Sequence, residues 1–186
     1  MTGSETTAPS SARTPDAAPA GAPREPVLLG LGTNIGDRAA NLAGAVEALR
    51  ALLTVEAVSP VYETAPMYVT DQAAFLNMAV AGRTALEPGA LLAGLKEIEA
   101  AMGRVPGRRF GPRLIDIDIL LHGQRVVAEE GLEIPHPRLV ERGFVLVPAA
   151  DVAPDRRHPT DGRTIADLLA ALGPQPDVVR VADPPG

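Results

Sequence analysis

Cysteine is absent from the 186 residues, so the chain forms no disulfide, no thiolate zinc site and no cysteine nucleophile. Lysine is almost absent too, with Lys96 the only one. No Gly-Lys-Ser/Thr triplet occurs, which excludes a P-loop and leaves cationic work to arginine. Aromatic residues make up 3%, too few for the stacking platform of an RNA-binding sheet, and the formal net charge of −6 argues against general nucleic-acid binding. No apolar run approaches the roughly 20 residues of a membrane span, and the N-terminal residues hold no hydrophobic signal core. A soluble cytoplasmic monomer that binds neither nucleic acid nor membrane is expected. Apolar residues nevertheless make up 46%, enough for one domain of this length with a real core.

Residues Met1 to Pro26 are rich in Pro, Ala, Ser and Thr and lack periodicity, which predicts a disordered tail. A single domain is expected over residues 27–172, followed by a frayed Pro-rich end from Gly173. Val27 to Leu31 reads as a central strand running into Gly30-Leu31-Gly32-Thr33-Asn34-Ile35-Gly36-Asp37. These glycines miss the dinucleotide fingerprint, whose third glycine would fall on Ile35. A tight strand-to-helix turn with Asp37 as N-cap fits better. Leu42, Val46, Leu49 and Leu53 then give the stripe of a helix over residues 38–53.

Residues 54–64 and 75–81 read as strands, and 88–102 as a second helix that buries Leu91, Leu95, Ile98 and Met102. Glu99 lies about 60° from the centre of that stripe, on a shoulder that reaches a cleft. A hairpin (125–127 against 132–134), a strand over Phe144 to Val147 and a Thr164-capped helix to Leu172 complete the reading. The βαββαβ order predicts an α+β fold: a ferredoxin-like sandwich with a mainly antiparallel sheet, helices packed on it and a C-terminal extension. That architecture hosts many functions and decides none.

The chemistry concentrates between Arg104 and Leu121. Arg104, Arg108, Arg109 and Arg113 lie on a Gly/Pro loop without an acidic residue, and Ile115-Asp116-Ile117-Asp118-Ile119 follows. In a strand, alternation has period two, so Asp116 and Asp118 share one face with Cα atoms roughly 6.6 Å apart. Ile115, Ile117, Ile119 and Leu121 take the other. Paired carboxylates repel unless something positive lies between them. Mg²⁺ fits, because it takes carboxylate oxygens and keeps phosphate oxygens and water as its other ligands. Arginine is the residue suited to bidentate phosphate binding. The stretch reads as a metal–polyphosphate site; the alternative is a strand with a polar outer face. Asn77 has a similar pair of readings, a backbone satisfier or a reader of a heterocycle's edge, with Phe75 two residues back placed to stack on the ring.

Four segments together resemble the 6-hydroxymethyl-7,8-dihydropterin pyrophosphokinase family of the folate pathway. They are Gly32-Thr33-Asn34-Ile35-Gly36-Asp37; Tyr62-Glu63-Thr64 with Phe75-Leu76-Asn77; Arg104 with Phe110-Gly111-Pro112-Arg113-Leu114-Ile115-Asp116-Ile117-Asp118; and Pro135-His136 with Arg142-Gly143-Phe144. The resemblance implies pyrophosphoryl transfer from ATP to the pterin hydroxymethyl oxygen, with two Mg²⁺ ions held by Asp116 and Asp118. It implies a pterin pocket of Asn77, Phe75 and Phe144 with backbone around Thr64, Ala65 and Met67. It assigns Lys96, Glu99, Arg104, Arg113, Ile119 (through its backbone), His136 and Arg142 to the nucleotide, with Arg104 and Arg113 also catalytic. The loop departs from the family pattern: Pro106 stands where a second arginine is expected and Phe110 where tryptophan is common, so Arg108 or Arg109 is left to substitute. A degenerate, non-catalytic relative would be expected to lose the metal carboxylates, and both are present.

Overall fold

The computed structural model describes residues 23–66, 72–104 and 113–185. In chain order the elements are β1 (Glu25–Thr33), α1 (Arg38–Leu49), β2 (Thr54–Val58), β3 (Val61–Thr64), β4 (Phe75–Thr84), α2 (Pro88–Ala101), β5 (Asp116–His122), β6 (Val127–Glu129), β7 (Leu132–Ile134), α3 (Gly143–Val152), α4 (Ile165–Leu172) and β8 (Val179–Ala182), with one 3₁₀ turn at Leu139–Glu141. The main sheet runs β5-β1-β4-β3-β8, with β2 also on β4, and its pairings are antiparallel. Crossovers through α1 and α2 return each following strand past a neighbour, which gives the ferredoxin-like α+β arrangement.

Residues 54–64 were expected as one strand. They form two, both lying along β4, with the break at Ser59-Pro60. Pro60 has no N–H to give to the ladder. Ser59 spans the gap: its N–H donates to Ala79 O (3.0 Å) and its Oγ accepts from Ala79 N (2.9 Å). Asp37 caps α1 by accepting from Ala40 N at 3.0 Å, and Thr164 with Asp167 forms a capping box on α4.

Each face of the sheet has its own core. Leu42, Val46 and Leu49 of α1 and Leu91 and Leu95 of α2 cover Val27, Leu29, Leu31, Met78, Val80, Ile117 and Ile119. On the other face Val145, Leu146 and Ala149 of α3 and Ile165 and Leu168 of α4 cover Leu28, Ala79, Ala81 and Leu120. The run at Phe144–Val147, expected as a strand, is thus the first half of a helix. A short, wholly apolar run does not distinguish a buried strand from a buried helix, and α3, apolar but for Asp151, packs against both the sheet and α4.

Two further expectations are corrected. Leu121 lies in the α3/α4 core, not beside Ile119. Leu29 pairs with Ile119 but Leu28 with Leu121, so Leu120 is an extra residue that shifts the alternation. Residues beyond Gly173 were expected to fray, yet Val179–Ala182 adds β8 to the edge at β3. The sheet therefore runs from Glu25 to Ala182, past both expected boundaries. Tyr62 ties this edge to α3 by donating its hydroxyl to Asp151 Oδ2 at 2.6 Å.

Candidate functional site

Helices α3 and α4 leave one end of their face of the sheet open, and a cavity of about 310 Å³ lies there. That volume is at the lower end of the range for small-molecule sites. The register dictates what lines it. Gly32 sits between Asp116 on β5 and Asn77 on β4, and Gly30 sits between Asp118 and Ala79. The floor thus has carboxylates on one side, the Asn77 amide on the other and no side chain between them. A Cβ on Gly32 would stand 3.4 Å from Asn77 Oδ1, and one on Gly30 3.4 Å from Leu120. The glycines that miss the dinucleotide spacing are there to leave this floor bare. Their period of two within a strand was the available signal, and sequence reasoning missed it.

Phe75 on β4 and Phe144 in the first turn of α3 both line the cavity, as do Thr64 and Ala65. Asn77 is buried and donates Nδ2 to Thr64 Oγ1 at 2.8 Å, which fixes the plane of its amide. Arg142 lies 5.5 Å from the Phe144 ring centroid, and its buried Nε has no partner. Met67, Tyr68, Arg108, Arg109 and Phe110 fall outside the described residues.

His136 also lines the cavity. Burial, then the charges of Arg142 and Arg138, push its pKa down to about 4, so it is neutral at physiological pH. Its Nδ1 accepts from Arg138 N at 3.1 Å, which leaves the proton on Nε2. Nε2 stands 3.9 Å from Asp118 Oδ2, too far for a hydrogen bond. Asp118 is raised well above the carboxylate range, to about 6, by desolvation first and by Asp116 second.

Asp116 is held differently. Its Oδ2 accepts from Arg113 Nη1, and Arg104 Nη1 lies 2.8 Å from its Oδ1. Glu99 does not face a cleft. It is 1% exposed, where its expected shoulder position would leave it open. Oε1 accepts from Ile117 N at 2.7 Å, Oε2 bonds Arg104, and Lys96 Nζ contacts both oxygens at 3.0 and 2.9 Å. Those partners turn the carboxylate inward. Lys96, Glu99, Arg104 and Ile119 do not line the cavity, and the Ile119 side chain is buried in the opposite core.

Two oxygen ligands two residues apart on one strand suit a hard cation, and the ionised form of Asp118 is disfavoured first by desolvation and second by the Asp116 charge. Among the described residues no group of three or more His, Cys, Asp or Glu is placed to hold a metal ion, and Asp116 with Asp118 is a donor set of two. That matches Mg²⁺, which keeps waters and phosphate oxygens.

Asn34 is the residue with the widest reach that sequence reasoning assigned no role. Buried at the end of β1, it accepts from Arg113 N at Oδ1 (2.7 Å) and donates its own N–H to Arg113 O (3.0 Å). Its Nδ2 donates to Gln72 Oε1 (3.0 Å) and Ala73 O (3.4 Å). One side chain thereby joins the start of β4 to the approach to β5. Asn34→Ala takes from Arg113 N a part-buried acceptor and removes the donor to Gln72 Oε1 and Ala73 O, which together cost about 2 kcal/mol. A melting point lower by roughly 4–8 °C is expected, with reduced turnover, checked by calorimetry and a rate assay.

Comparison with known proteins gives a consistent result. A family model described as 7,8-dihydro-6-hydroxymethylpterin-pyrophosphokinase matches residues 28–154. A Methylorubrum extorquens protein named 2-amino-4-hydroxy-6-hydroxymethyldihydropteridine pyrophosphokinase is 52% identical over 148 residues, covering 78% of this chain and 92% of its own. A Bacillus subtilis protein of the same name is 48% identical over 126 residues, covering 67% and 75%. The Pisum sativum mitochondrial folate synthesis bifunctional protein is 47% identical over 129 residues, 69% of this chain but only 25% of that protein. The crystal structure of Plasmodium falciparum HPPK-DHPS wild type superposes with a TM-score of 0.64 at 17% identity, covering 80% of this chain and 45% of that one, and so speaks for the fold alone. The chain belongs to the 7,8-dihydro-6-hydroxymethylpterin-pyrophosphokinase family, the ATP-dependent enzymes that transfer a pyrophosphoryl group to hydroxymethyldihydropterin in folate synthesis.

Proposed function

We propose that the cavity is the pterin site and that the Asp116–Asp118 edge beside it takes the metal-bound triphosphate of ATP. The observation that carries this is the register: Asn77, the two bare glycines and the two carboxylates form one continuous floor. A flat ring between Phe75 and Phe144 has one edge at Asn77 and passes over the bare floor of Gly30 and Gly32. A side chain on either glycine would lift it off. The hydroxymethyl arm then points along the floor toward Asp116 and Asp118.

In this reading the pterin oxygen attacks the β-phosphorus, the bond to the α–β bridging oxygen breaks, and AMP leaves. Asp116 and Asp118 would hold two Mg²⁺ ions, which neutralise charge on the transferring group. The chain's own contribution is orientation and fixed positive charge. Neutral His136 offers Nε2–H to a phosphate oxygen without carrying charge of its own. Arg142, with a buried unpartnered Nε, and Arg113 both line the cavity and supply guanidinium donors. Arg104 joins them once free of Asp116. Lys96 and Glu99 act from behind as holders of Arg104. The outer edge of β5 at Ile119 is where adenine would meet backbone.

The test is the wild-type reaction. With ATP, hydroxymethyldihydropterin and Mg²⁺, AMP and pterin diphosphate are expected in equal amounts; chelation of the metal is expected to stop it. Release of ADP in place of AMP would overturn the reading.

A further inference from the structure

An ion pair and a coordinated cation draw on the same carboxylate lone pairs, and at Asp116 arginines hold both oxygens. Arg104 Nη1 is 2.8 Å from Oδ1, and Arg113 bonds Oδ2. Asp118, two residues along, makes no ion pair with an arginine among the described residues. The two expected metal ligands are therefore unequal.

Arg104 is also held from behind. Its Nη1 bonds Glu99 Oε2 as well as facing Asp116. Glu99 is buried and locked by Ile117 N and by Lys96. Ile117 is the residue between the two aspartates, so the post that holds Arg104 is built into the metal strand itself. Lys96 neutralises Glu99 without touching Asp116.

We infer that Arg104 is a built-in competitor for the cation: Glu99 stores it on Asp116 Oδ1, and a cation takes that oxygen only by displacing it. This rests on the assignment of Asp116 and Asp118 as metal ligands. The displaced guanidinium needs another acceptor, and the nucleotide phosphates supply one beside the same carboxylate. Cation and nucleotide then assist each other, each relieving the pair that hinders the other, and this coupling is reciprocal. Arg104 thereby keeps the site from binding cations tightly before nucleotide arrives.

The experiment measures Mn²⁺ binding to the full chain without nucleotide, by the electron paramagnetic resonance of free Mn²⁺. Arg104→Gln is expected to tighten binding about ten- to thirtyfold, the worth of one charge-assisted hydrogen bond at the lower end of its range. Arg104→Met should behave alike, which removes dependence on one variant's folding. Arg125→Gln deletes the same charge from a surface pair with Glu87, away from both aspartates, and less than about a twofold change is expected. Equal tightening in both variants would reduce the effect to net charge and overturn the inference, as would unchanged or weaker binding in the Arg104 variants. Mn²⁺ binding that survives Asp118→Asn in the Arg104→Gln background would overturn the metal assignment itself. With nucleotide present, the advantage of Arg104→Gln over wild type should disappear; its persistence would remove the coupling.

Discussion

Asp118→Asn is expected to abolish AMP formation, by at least about a thousandfold, while making the protein more stable in the absence of metal. The loss of activity follows from the several kcal/mol of charge stabilisation that a metal site supplies in phosphoryl transfer. The gain in stability follows from the environment of Asp118, which burial and the Asp116 charge raise to about 6. A folded-state pKa above the unfolded value means that ionising the group costs folding free energy. The shift from 3.8 to about 6 corresponds to about 3 kcal/mol at face value. The side chain is 45% exposed, so solvent screening reduces this to about 1 kcal/mol. In this protein's size range that is roughly 2–4 °C in melting temperature. The sign has a pH signature. The penalty on the wild type is complete above about pH 6 and fades as pH falls toward 4, because both states then carry the proton. The advantage of Asp118→Asn should be largest at pH 7 and vanish near pH 4. Melting curves across that range, with EDTA, test it. A variant less stable than wild type at pH 7 contradicts the raised pKa of Asp118, and one with normal turnover contradicts the metal assignment. Pterin affinity, which depends on the far side of the cavity, should survive.

Asn77→Ala should show the converse pattern. The amide is buried, held in plane by Thr64, and stands across Gly32 from Asp116. A group so placed presents a donor and an acceptor in fixed directions, and a buried heterocycle edge left unpaired costs about 1–3 kcal/mol per hydrogen bond. Pterin affinity should therefore fall roughly 30- to 100-fold, with ATP affinity changed less than about twofold. Isothermal titration of each ligand separates the two; the reverse result would invert the map of the site. Asn77→Asp is the informative companion. It preserves shape but replaces the donor with an acceptor, and should bind pterin as poorly as alanine does.

The legible part of this chain is what local periodicity controls. Period two put Asp116 with Asp118, and Phe75 with Asn77, because neighbouring side chains in a strand must alternate. Asp37 and Thr164 were readable as caps, because a cap is a local exchange between a side chain and a nearby N–H. Phe144 was assigned to the pterin but in the wrong element, since four apolar residues satisfy strand and buried helix equally. The strand at Val179–Ala182 was missed because four exposed residues behind a Pro-rich segment carry little signal; pairing with β3 defines them.

Sequence alone determined the two carboxylates, the pool of arginines, the family and the βαββαβ order as far as Leu121, since each is a property of residue type and spacing. Only the tertiary structure decided which arginine meets which carboxylate, that Glu99 turns inward to hold one of them, and that Gly30 and Gly32 leave the floor bare between Asp116 and Asn77. Those facts depend on the antiparallel register of three strands far apart in the chain, which local periodicity leaves open and the packing of both faces fixes.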